Sequence, residues 1–476
     1  MPEGWTWSTI HSIAETIFGQ SPPSSSYNKD GNGLPFFQGK AEFGDKYPVT
    51  EKWSHTFTRE AKSGDILISI RAPVGPINVA DRRCAIGRGL AAIRPIIEAD
   101  YVRFWLKRSE GTLVEKATGT TFCAISKNTL NTHPIPVAPL KEQHRIAEKI
   151  ERLFARLDKG EEGLCKARRL LSLYRQSILK DTFAGHLVPQ DPNDEPVSEL
   201  LKRIANEKVR LIKKKKIKNS RYRLEDKTID PPFKIPKSWQ WCRLGSIGAI
   251  IGGGTPSTAN LANFAKQGEG IPWLTPADLS NYSSLYIERG SRDLSKIGLQ
   301  SSGATVMPAG TVLFTSRAPI GYTAIASNPI STNQGFKSIV PYITECSRFI
   351  ALAMQAFASD IEAVSSGTTF KEATGRVVSA FPIPLPPLAE QRRIIEKIDT
   401  LFDQMNKLEK EIENTRRLVA RCRQSILKNA FTGRLVLQDP NDEPSIELLA
   451  RIQKTRSVTA KKRNQKLKNK QFIGGN

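Results

Sequence analysis

Apolar residues recur along two long stretches of the chain at alternating steps of four and three residues. The first stretch runs from Ile146 to Ile178 and the second from Ile394 to Ile426. This spacing is the heptad pattern of an amphipathic helix that packs against another helix. We therefore predict two long helices, over about residues 140–184 and 388–432.

The two stretches belong to one duplicated segment. Residues 134–204 return as residues 382–452 with a constant offset of 248, and about 41 of the 71 aligned positions are identical. Such gap-free identity indicates an internal repeat. Gly185 and Gly433 stand where a helix C-terminal glycine is expected. A narrow apolar stripe needs a partner, so we expect the two helices to pair as a coiled coil. We favour antiparallel pairing, because parallel pairing would crowd the preceding segments at one end.

A different globular segment precedes each helix. In both segments, short β-rich runs are separated by Gly and Pro turns, which predicts an α+β fold made of two mixed α/β units. Arg71-Ala-Pro-Val-Gly75 returns as Arg317-Ala-Pro-Ile-Gly321, and Gly119-Thr-Thr-Phe122 returns as Gly367-Thr-Thr-Phe370, while most other positions differ. The expected organisation is a first unit (1–138), a helical region (139–201), a basic linker (202–235), a second unit (236–386), a second helical region (387–450) and a basic tail (451–476).

The net charge of +24 is concentrated outside the units. Residues 202–227 and residues 451–476 each carry a net charge of +9, so together they hold 18 of the 24 charges. Basic segments of this kind attract phosphates without regard to sequence, yet they are equally typical of solvated chain ends. Because of its Lys213-Lys-Lys-Lys216 run, we expect the linker to form no packed helix.

Motifs for catalysis are scarce. The six cysteines are dispersed, the five histidines show no catalytic spacing, and neither a Walker A motif nor a zinc-ligand pattern is present. Asp230-Pro-Pro-Phe233 resembles a loop of amino-methyltransferases, but no glycine motif for a methyl donor precedes it, which favours a plain proline-rich segment. The longest apolar run is too short to span a bilayer. We expect a non-catalytic, metal-free chain in the cytoplasm.

Two divergent units, each followed by a near-identical helix with P-L-x-E-Q and R-Q-S-I-L-K-x-x-F-x-G-x-L-V, resemble the specificity subunit of type I restriction-modification systems. The resemblance implies that the units are target recognition domains, each reading one half of a split DNA target, and that the helices form an antiparallel coiled coil between them. Because the units differ, the target should be asymmetric.

The same resemblance implies partners: double-stranded DNA, two methyltransferase subunits that hold S-adenosylmethionine, and two restriction subunits that use ATP and Mg. Two other functions remain open at this point. One is a self-contained nucleic-acid-binding coiled-coil adaptor, and the other is a methyltransferase that uses Asp230, Pro231, Pro232 and Phe233.

Residue chemistry suggests candidate contacts. Arg and Lys suit phosphates and guanine edges, Asn and Gln suit adenine edges, and Thr can donate to phosphates. The DNA-binding candidates are Lys40, Arg71, Arg82, Arg88, Thr120, Thr121, Lys127, Arg317, Asn333, Gln334, Lys337, Thr368, Thr369 and Lys371. The partner-docking candidates, for which helix capping is the alternative role, are Glu142, Gln143, Glu390 and Gln391.

Overall fold

The computed structural model describes residues 1–118, 123–214, 229–280, 282, 284–317, 319–366 and 371–458. The chain divides into two compact units. The first unit comprises Met1–Cys165 and Ile412–Asn476, and the second comprises Lys166–Glu411. Both divisions fall inside the long helices, so each unit combines one globular segment with parts of both helices.

The described residues as far as Phe183 form these elements in chain order: β1 Thr6–Thr9, α1 Ile10–Ile13, β2 Ala14–Phe18, β3 Tyr27–Asn28, β4 Leu34–Phe37, β5 Trp53–Ser54, β6 Glu60–Ala61, β7 Ile66–Ser69, β8 Ile77–Val79, β9 Cys84–Ile86, β10 Leu90–Pro95, α2 Ala99–Arg108, α3 Glu110–Glu115, α4 Lys127–Asn131, β11 Pro134–Val137 and α5 Leu140–Phe183. Short 3-10 helices lie at Ser24–Ser26 and Lys40–Glu42.

The described residues that follow form these elements: α6 Val197–Lys213, β12 Gln240–Arg243, α7 Leu244–Ile247, β13 Gly248–Gly252, β14 Phe264–Ala265, β15 Ile271–Leu274, β16 Tyr286–Ile287, β17 Arg292–Leu294, α8 Lys296–Gln300, β18 Val312–Ser316, β19 Ile320–Ala326, β20 Ser331–Thr332, β21 Lys337–Pro341, α9 Ser347–Ala356, α10 Ala358–Ala363, α11 Gly375–Ala380, β22 Pro382–Leu385 and α12 Leu388–Ala430. Short 3-10 helices lie at Leu261–Asn263, Pro276–Leu279 and Thr344–Cys346.

Among the described residues, three sheets build the globular part of the first unit. An antiparallel sheet has the order β2-β10-β7-β8, a second has the order β3-β5-β4-β9-β6, and β1 pairs with β11. The strands β7 and β10 are apolar runs whose residues are mostly buried, as expected for central strands. Strands β4 and β9 run parallel, with Phe37 opposite Ile86. Their C-terminal ends therefore lie side by side at one edge.

The second unit has a similar arrangement, but its two larger sheets have five and four strands where those of the first unit have four and five. Its sheets have the orders β13-β21-β18-β19-β16 and β14-β17-β15-β20, and β12 pairs with β22. Strands β15 and β20 are the parallel pair, with Leu274 opposite Thr332. The shared motif frame thus corresponds to a shared topology, and the fold is α+β.

Each globular segment packs against the end of the long helix that follows the other segment. In the first unit the Phe431 ring lies 5.1 Å from the Tyr101 ring, centroid to centroid. In the second unit the Phe183 ring lies 5.3 Å from the Phe349 ring. Burial of one such phenylalanine contributes roughly 1.5–3 kcal/mol. The core therefore includes residues that are far apart in sequence.

Glycine ends each of these helical regions. Gly185 has a φ of 78° and Gly433 a φ of 70°, a left-handed conformation that other residues adopt rarely. This confirms the predicted glycine caps. A side chain at Gly185 would also lie 2.2 Å from the ring of Pro236, so the position excludes larger residues for a second reason.

Ion pairs join the two long helices within the first unit. Arg423 Nη2 lies 2.6 Å from Asp158 Oδ1 and 3.0 Å from Glu161 Oε2. Arg416 Nη2 lies 4.0 Å from Glu161 Oε1. Within the second unit, the Arg175 guanidinium lies 5.0 Å from the centroid of the Phe402 ring.

The apolar seam differs in part from the sequence prediction. Tyr174 is 53% exposed and Leu408 is 47% exposed, although the heptad pattern assigns both to the seam. A straight α-helix drifts from a seven-residue repeat by about 20° per heptad. Arg175, one residue further along, contacts the opposite helix instead.

The segment assigned to a basic linker is partly helical. Helix α6 continues to Lys213, with Leu200 and Ile204 buried in the core of the second unit. The expectation that the linker forms no packed helix is therefore wrong for residues 202–213, because an apolar stripe underlies the basic residues there. Lys215 and Lys216, the second half of the lysine run, lie outside the described residues.

Candidate nucleic-acid interface

Loops from separate strands meet at one edge of the first unit. They are the loop after β2 (19–22), the loop after β7 (70–75) and the turn after β9 (87–90, the first turn). Two backbone hydrogen bonds connect them: Gln20 N donates to Ile86 O, just before the turn, at 3.0 Å, and Ile70 N donates to Gly89 O at 2.9 Å. A third bond, from Leu90 N to Gly87 O at 3.0 Å, closes the turn itself. These bonds give the edge a defined backbone.

Glycine permits this close approach. A Cβ atom at Gly19 would lie 2.1 Å from the carbonyl oxygen of Gly87, closer than any real contact. A Cβ atom at Gly89 would lie 2.3 Å from the carbonyl oxygen of Gln38, at the end of β4. The loops can therefore converge only with glycine at these positions.

The convergence brings several predicted DNA-binding residues together. Arg88 is exposed at the tip of the first turn. Arg71 is also exposed, and it directly follows Ile70, whose N–H donates to the turn. Arg71 also forms a backbone bridge with Ala124, three residues before the exposed Lys127. Among the described residues, Arg71 and Arg88 have no ion-pair partner. Their positive charges are thus available to an anion.

The second unit holds its equivalent loops by the same bonds. They are the loop after β13 (253–256), the end of β18 with the residue that follows it (Ser316 and Arg317), and the turn after β20 (333–336, the second turn). Gly254 N donates to Thr332 O at 2.9 Å, Ser316 N donates to Gly335 O at 2.7 Å, and Phe336 N donates to Asn333 O at 3.3 Å. The candidates Asn333 and Gln334 both lie in this turn.

Electrostatics differ between the two edges. Glu372 Oε1 lies 3.2 Å from Lys337 Nζ, and Glu372 Oε2 lies 3.7 Å from Arg317 Nη1. The side chain of Lys337 is 14% exposed, whereas neighbouring Lys371 is exposed. The bridge from Arg317 to Glu372 has its equivalent in the bridge from Arg71 to Ala124. The second edge therefore carries an acid where the first has none.

Not all candidates join these edges. Arg82 lies before the start of β9, at the opposite end from the first turn, and its guanidinium pairs with Asp81 at 2.6 Å. Lys40 is exposed in the 3-10 helix that begins three residues after the end of β4. The four threonine candidates lie outside the described residues: Thr120, Thr121, Thr368 and Thr369.

Sequence reasoning missed other residues at the first edge. The side chains of Gln38 and Arg59 are both exposed. The backbone carbonyl of Gln38 lies against Gly89 of the first turn, and that of Arg59 accepts a hydrogen bond from Ile86 N at 3.1 Å. Both positions depend on pairing between strands that are distant in sequence. No local pattern marks them.

The four docking candidates have a structural role instead. All are buried, with 1% exposure for Glu142 and 0% for Gln143, Glu390 and Gln391. Trp5 Nε1 donates to Glu142 Oε2 at 3.0 Å. Gln143 Nε2 donates to Ala138 O at 2.7 Å, and Gln391 Nε2 donates to Pro386 O at 3.0 Å. This corrects the expectation that these side chains offer a docking surface, since they fix the start of each helix.

The D-P-P-F segment contributes to packing. Its Phe233 ring lies 4.9 Å from the Trp241 ring and 6.4 Å from the Phe357 ring. An open apolar groove of about 610 Å³ lies beside these rings. Asp230 is exposed to solvent.

The described parts of the chain contain no group of three metal-ligating side chains, and no helix there is long and apolar enough to cross a membrane. Burial raises the pKa of the Cys84 and Cys346 thiols to about 12, so neither thiol is a ready nucleophile at neutral pH.

Comparisons with known proteins agree with this arrangement. Residues 2–164 and 236–415 match the family model of the type I restriction modification DNA specificity domain. The specificity subunit of the EcoAI type I restriction enzyme of Escherichia coli is 26% identical over 493 residues, covering 86% of this chain and 79% of the relative. The MjaIX specificity subunit of Methanocaldococcus jannaschii is 37% identical over 182 residues, covering 38% of this chain and 41% of the relative. With that subunit and a second from the same organism, the match spans about two fifths of the relative.

Solved structures share the fold. The crystal structure of the HsdS subunit from Thermoanaerobacter tengcongensis has a TM-score of 0.54 at 20% identity, covering 91% of this chain and 98% of the other. A chain from a study of complex assembly and conformational transition of the type I R-M system has a TM-score of 0.69 at 21% identity, covering 91% and 99%. At this identity the likeness concerns the fold.

Proposed function

The chain belongs to the type I restriction-modification DNA specificity family, and from this membership we propose that it selects the DNA sequence on which a type I complex acts. Each unit contacts one half of a bipartite target through its loop edge. The chain itself performs no catalysis. Its natural setting is the cytoplasm, together with the DNA that it reads.

One observation carries this proposal. The two units present the same backbone frame, held by equivalent hydrogen bonds, but place different side chains on it: Arg88 at the tip of the first turn and Gln334 at the tip of the second. A shared frame with different exposed tips suits two readers of different sequences. The target is therefore asymmetric, not palindromic.

The two long helices set the separation of the halves. We propose that they form an antiparallel coiled coil. In support, Asp158 pairs with Arg423, whereas Glu161, three residues later, pairs with both Arg423 and Arg416. A step forward along the first helix thus corresponds to a step backward along the second. At 1.5 Å per residue, a helix of 44 residues is about 66 Å long. Such a rigid spacer defines an unread gap between two half-sites, as dimer geometry does in other DNA-binding proteins.

Partner subunits supply the chemistry. The Escherichia coli and Methanocaldococcus relatives are named as specificity subunits of type I restriction enzymes. By analogy, this chain assembles with two methyltransferase subunits, which bind S-adenosylmethionine, and two restriction subunits, which use ATP and Mg. The described residues offer no clustered metal ligands of their own.

Methylation mapping tests the proposal. The chain is co-expressed with its methyltransferase subunits, and methylated bases are located by sequencing. We expect one asymmetric motif of two parts with a fixed gap, lost when the chain is deleted. A motif that persists without the chain would contradict the proposal, as would methylation by the purified chain alone.

A domain exchange tests the assignment of halves. Residues 1–138 are replaced by the equivalent segment of another family member, keeping the aromatic residues at Trp5 and Tyr101, which contact Glu142 and Phe431. Only one half of the motif should change. Alteration of both halves would show that the units do not read independently.

A further inference from the structure

We propose that Arg88 and Gln334 are equivalent base-reading residues, and that Arg88 recognises guanine while Gln334 recognises adenine. This inference rests on the proposed function and assigns a base to each half of the target. It arises from the position of the two side chains on turns that are held by equivalent backbone hydrogen bonds.

The equivalence of the two turns follows from their hydrogen bonds. Each turn closes on itself by a bond from the N–H of its fourth residue to the carbonyl of its first residue. In each unit, the residue that precedes the turn also accepts a bond from the loop after β2 or after β13, respectively. The parallel strand pair adds one further match: Gly87 N donates to Phe37 O at 2.8 Å, and Asn333 N donates to Leu274 O at 2.8 Å. Arg88 and Gln334 therefore occupy the same second position.

Both turns have a clamped backbone, whereas the side chains at their tips are exposed. A Cβ atom at Gly253 would lie 2.0 Å from the carbonyl oxygen of Asn333, so the second turn is as tightly enclosed as the first. Leu90 and Phe336, the last residues of the two turns, are fully buried. In contrast, Arg88 and Gln334 are exposed. A rigid backbone with an exposed polar tip loses little conformational freedom on binding, which favours specific readout.

The neighbouring hydroxyl groups orient the tips differently. In the first unit, Ser21 Oγ accepts a hydrogen bond from the backbone N–H of Arg88 at 3.2 Å, which leaves the guanidinium free. In the second unit, Thr255 Oγ1 donates to Gln334 Oε1. With this contact, Gln334 Nε2 can still donate to a base, and Oε1 retains a second lone pair that can accept from one.

The chemistry of the tips then selects the base. A guanidinium donates two hydrogen bonds to O6 and N7 of guanine, whereas a carboxamide accepts from N6 and donates to N7 of adenine. Neither side chain satisfies the other pattern. Each bidentate pair discriminates against a wrong base by roughly 5- to 150-fold.

Exchange of the two tips is the direct test. Arg88→Gln and Gln334→Arg are introduced separately, since each turn already accommodates the other residue in the equivalent unit. The variants are co-expressed with the methyltransferase subunits, and methylated sites are mapped. We expect Arg88→Gln to alter one G·C position in one half only, and Gln334→Arg to alter one A·T position in the other half only.

Competition binding provides a second readout if a variant complex no longer methylates. Probes with single base changes compete for the assembled complex, whose folding is checked by thermal melting. A change in preference at one position supports the proposal, whereas an equal loss for every probe overturns it. Arg82→Gln, remote from the first turn and paired with Asp81, is the matched control and should leave the motif unchanged.

The two proposals fail in different ways. A wild-type complex that yields no bipartite motif contradicts the proposed function. A wild-type motif that both tip variants retain unchanged, at wild-type affinity, overturns only the assignment of Arg88 and Gln334.

Discussion

Asp442 accepts a hydrogen bond from the guanidinium of Arg145 at 2.7 Å, although 297 residues separate the two in sequence. The side chain of Asp442 is 2% exposed, and that of Arg145 is 36% exposed. In the second unit, Arg393 Nη2 lies 2.5 Å from Asp194 Oδ2, so each repeat provides the arginine of one pair and the aspartate of the other. The duplicated segments thus complete each other's units.

Removal of the arginine should destabilise the first unit. Arg145→Ala leaves the Asp442 carboxylate buried without its charged partner, and we expect a loss of about 1–3 kcal/mol in the free energy of unfolding. Denaturant unfolding measures this loss. Lys141→Ala, at an exposed position of the same helix, is the control and should change little. An unaffected Arg145→Ala variant would show that the pair contributes nothing to stability.

Glu142 should make stability depend on pH. Burial raises the pKa of this carboxyl above its usual value of 4.5. The folded state therefore binds the proton more tightly than the unfolded state, and stability is lost as pH rises from 4.5 through the folded pKa. Glu142→Gln keeps an acceptor for Trp5 and removes the charge. The difference in the free energy of unfolding between Glu142→Gln and wild type should therefore grow in favour of the variant as pH rises through this range.

The exposed Glu148 provides the comparison for that experiment. Unfolding of Glu148→Gln and Glu142→Gln is followed at several pH values under identical salt. A difference between wild type and Glu142→Gln that is constant with pH would refute the effect of burial.

Adjacent glycines in the second unit should respond differently to alanine. At Gly253 a Cβ atom meets the carbonyl oxygen of Asn333, whereas at Gly252 the nearest atom is Lys337 Cδ at 3.9 Å. Gly253→Ala should distort the loop edge at a cost of about 1–3 kcal/mol and weaken reading of the second half-site alone. Gly252→Ala should retain both halves. Methylation mapping and thermal melting of both variants distinguish these outcomes.

Neutralising Glu372 should strengthen non-specific DNA binding. Glu372→Ala copies Ala124 of the first unit and releases Lys337 and Arg317 from their acidic neighbour. Two additional phosphate contacts would make the slope of log Kobs against the logarithm of the salt concentration more negative by about 1–2. Affinity for random DNA is measured at several salt concentrations. Glu345→Ala, an exposed acid of the same unit, should show no change; an equal response of both variants would indicate a mere net-charge effect.

Lengthening both helices should change the gap and preserve the halves. Seven residues inserted after Cys165 and after Glu411 keep the heptad phase and add about 10 Å to each helix. The methylated motif should retain both half-sites with a longer unread gap. A four-residue insertion at the same positions breaks the phase and should impair assembly. Altered half-sites after the heptad insertion would contradict a role of the helices as spacers.

The sequence by itself determined the repeat, the long helices and the shared loop motifs, because these features are local. Heptad spacing identifies a helix from its own residues, and a left-handed glycine such as Gly185 marks its end. Duplication was visible because 248 residues separate every matching position. The chemistry of Arg88 and Gln334 was likewise evident as residue type.

Only the tertiary structure decided what these residues contact. Strand pairing between β4 and β9 places Gln38 against the first turn. The heptad pattern assigns Tyr174 to the apolar seam, yet its side chain is exposed. Glu142 and Glu390 look like surface acids in sequence, yet each is buried by residues outside its own helix. Such contacts arise from packing between distant segments, whose energy depends on the whole unit and leaves no periodic pattern in the chain.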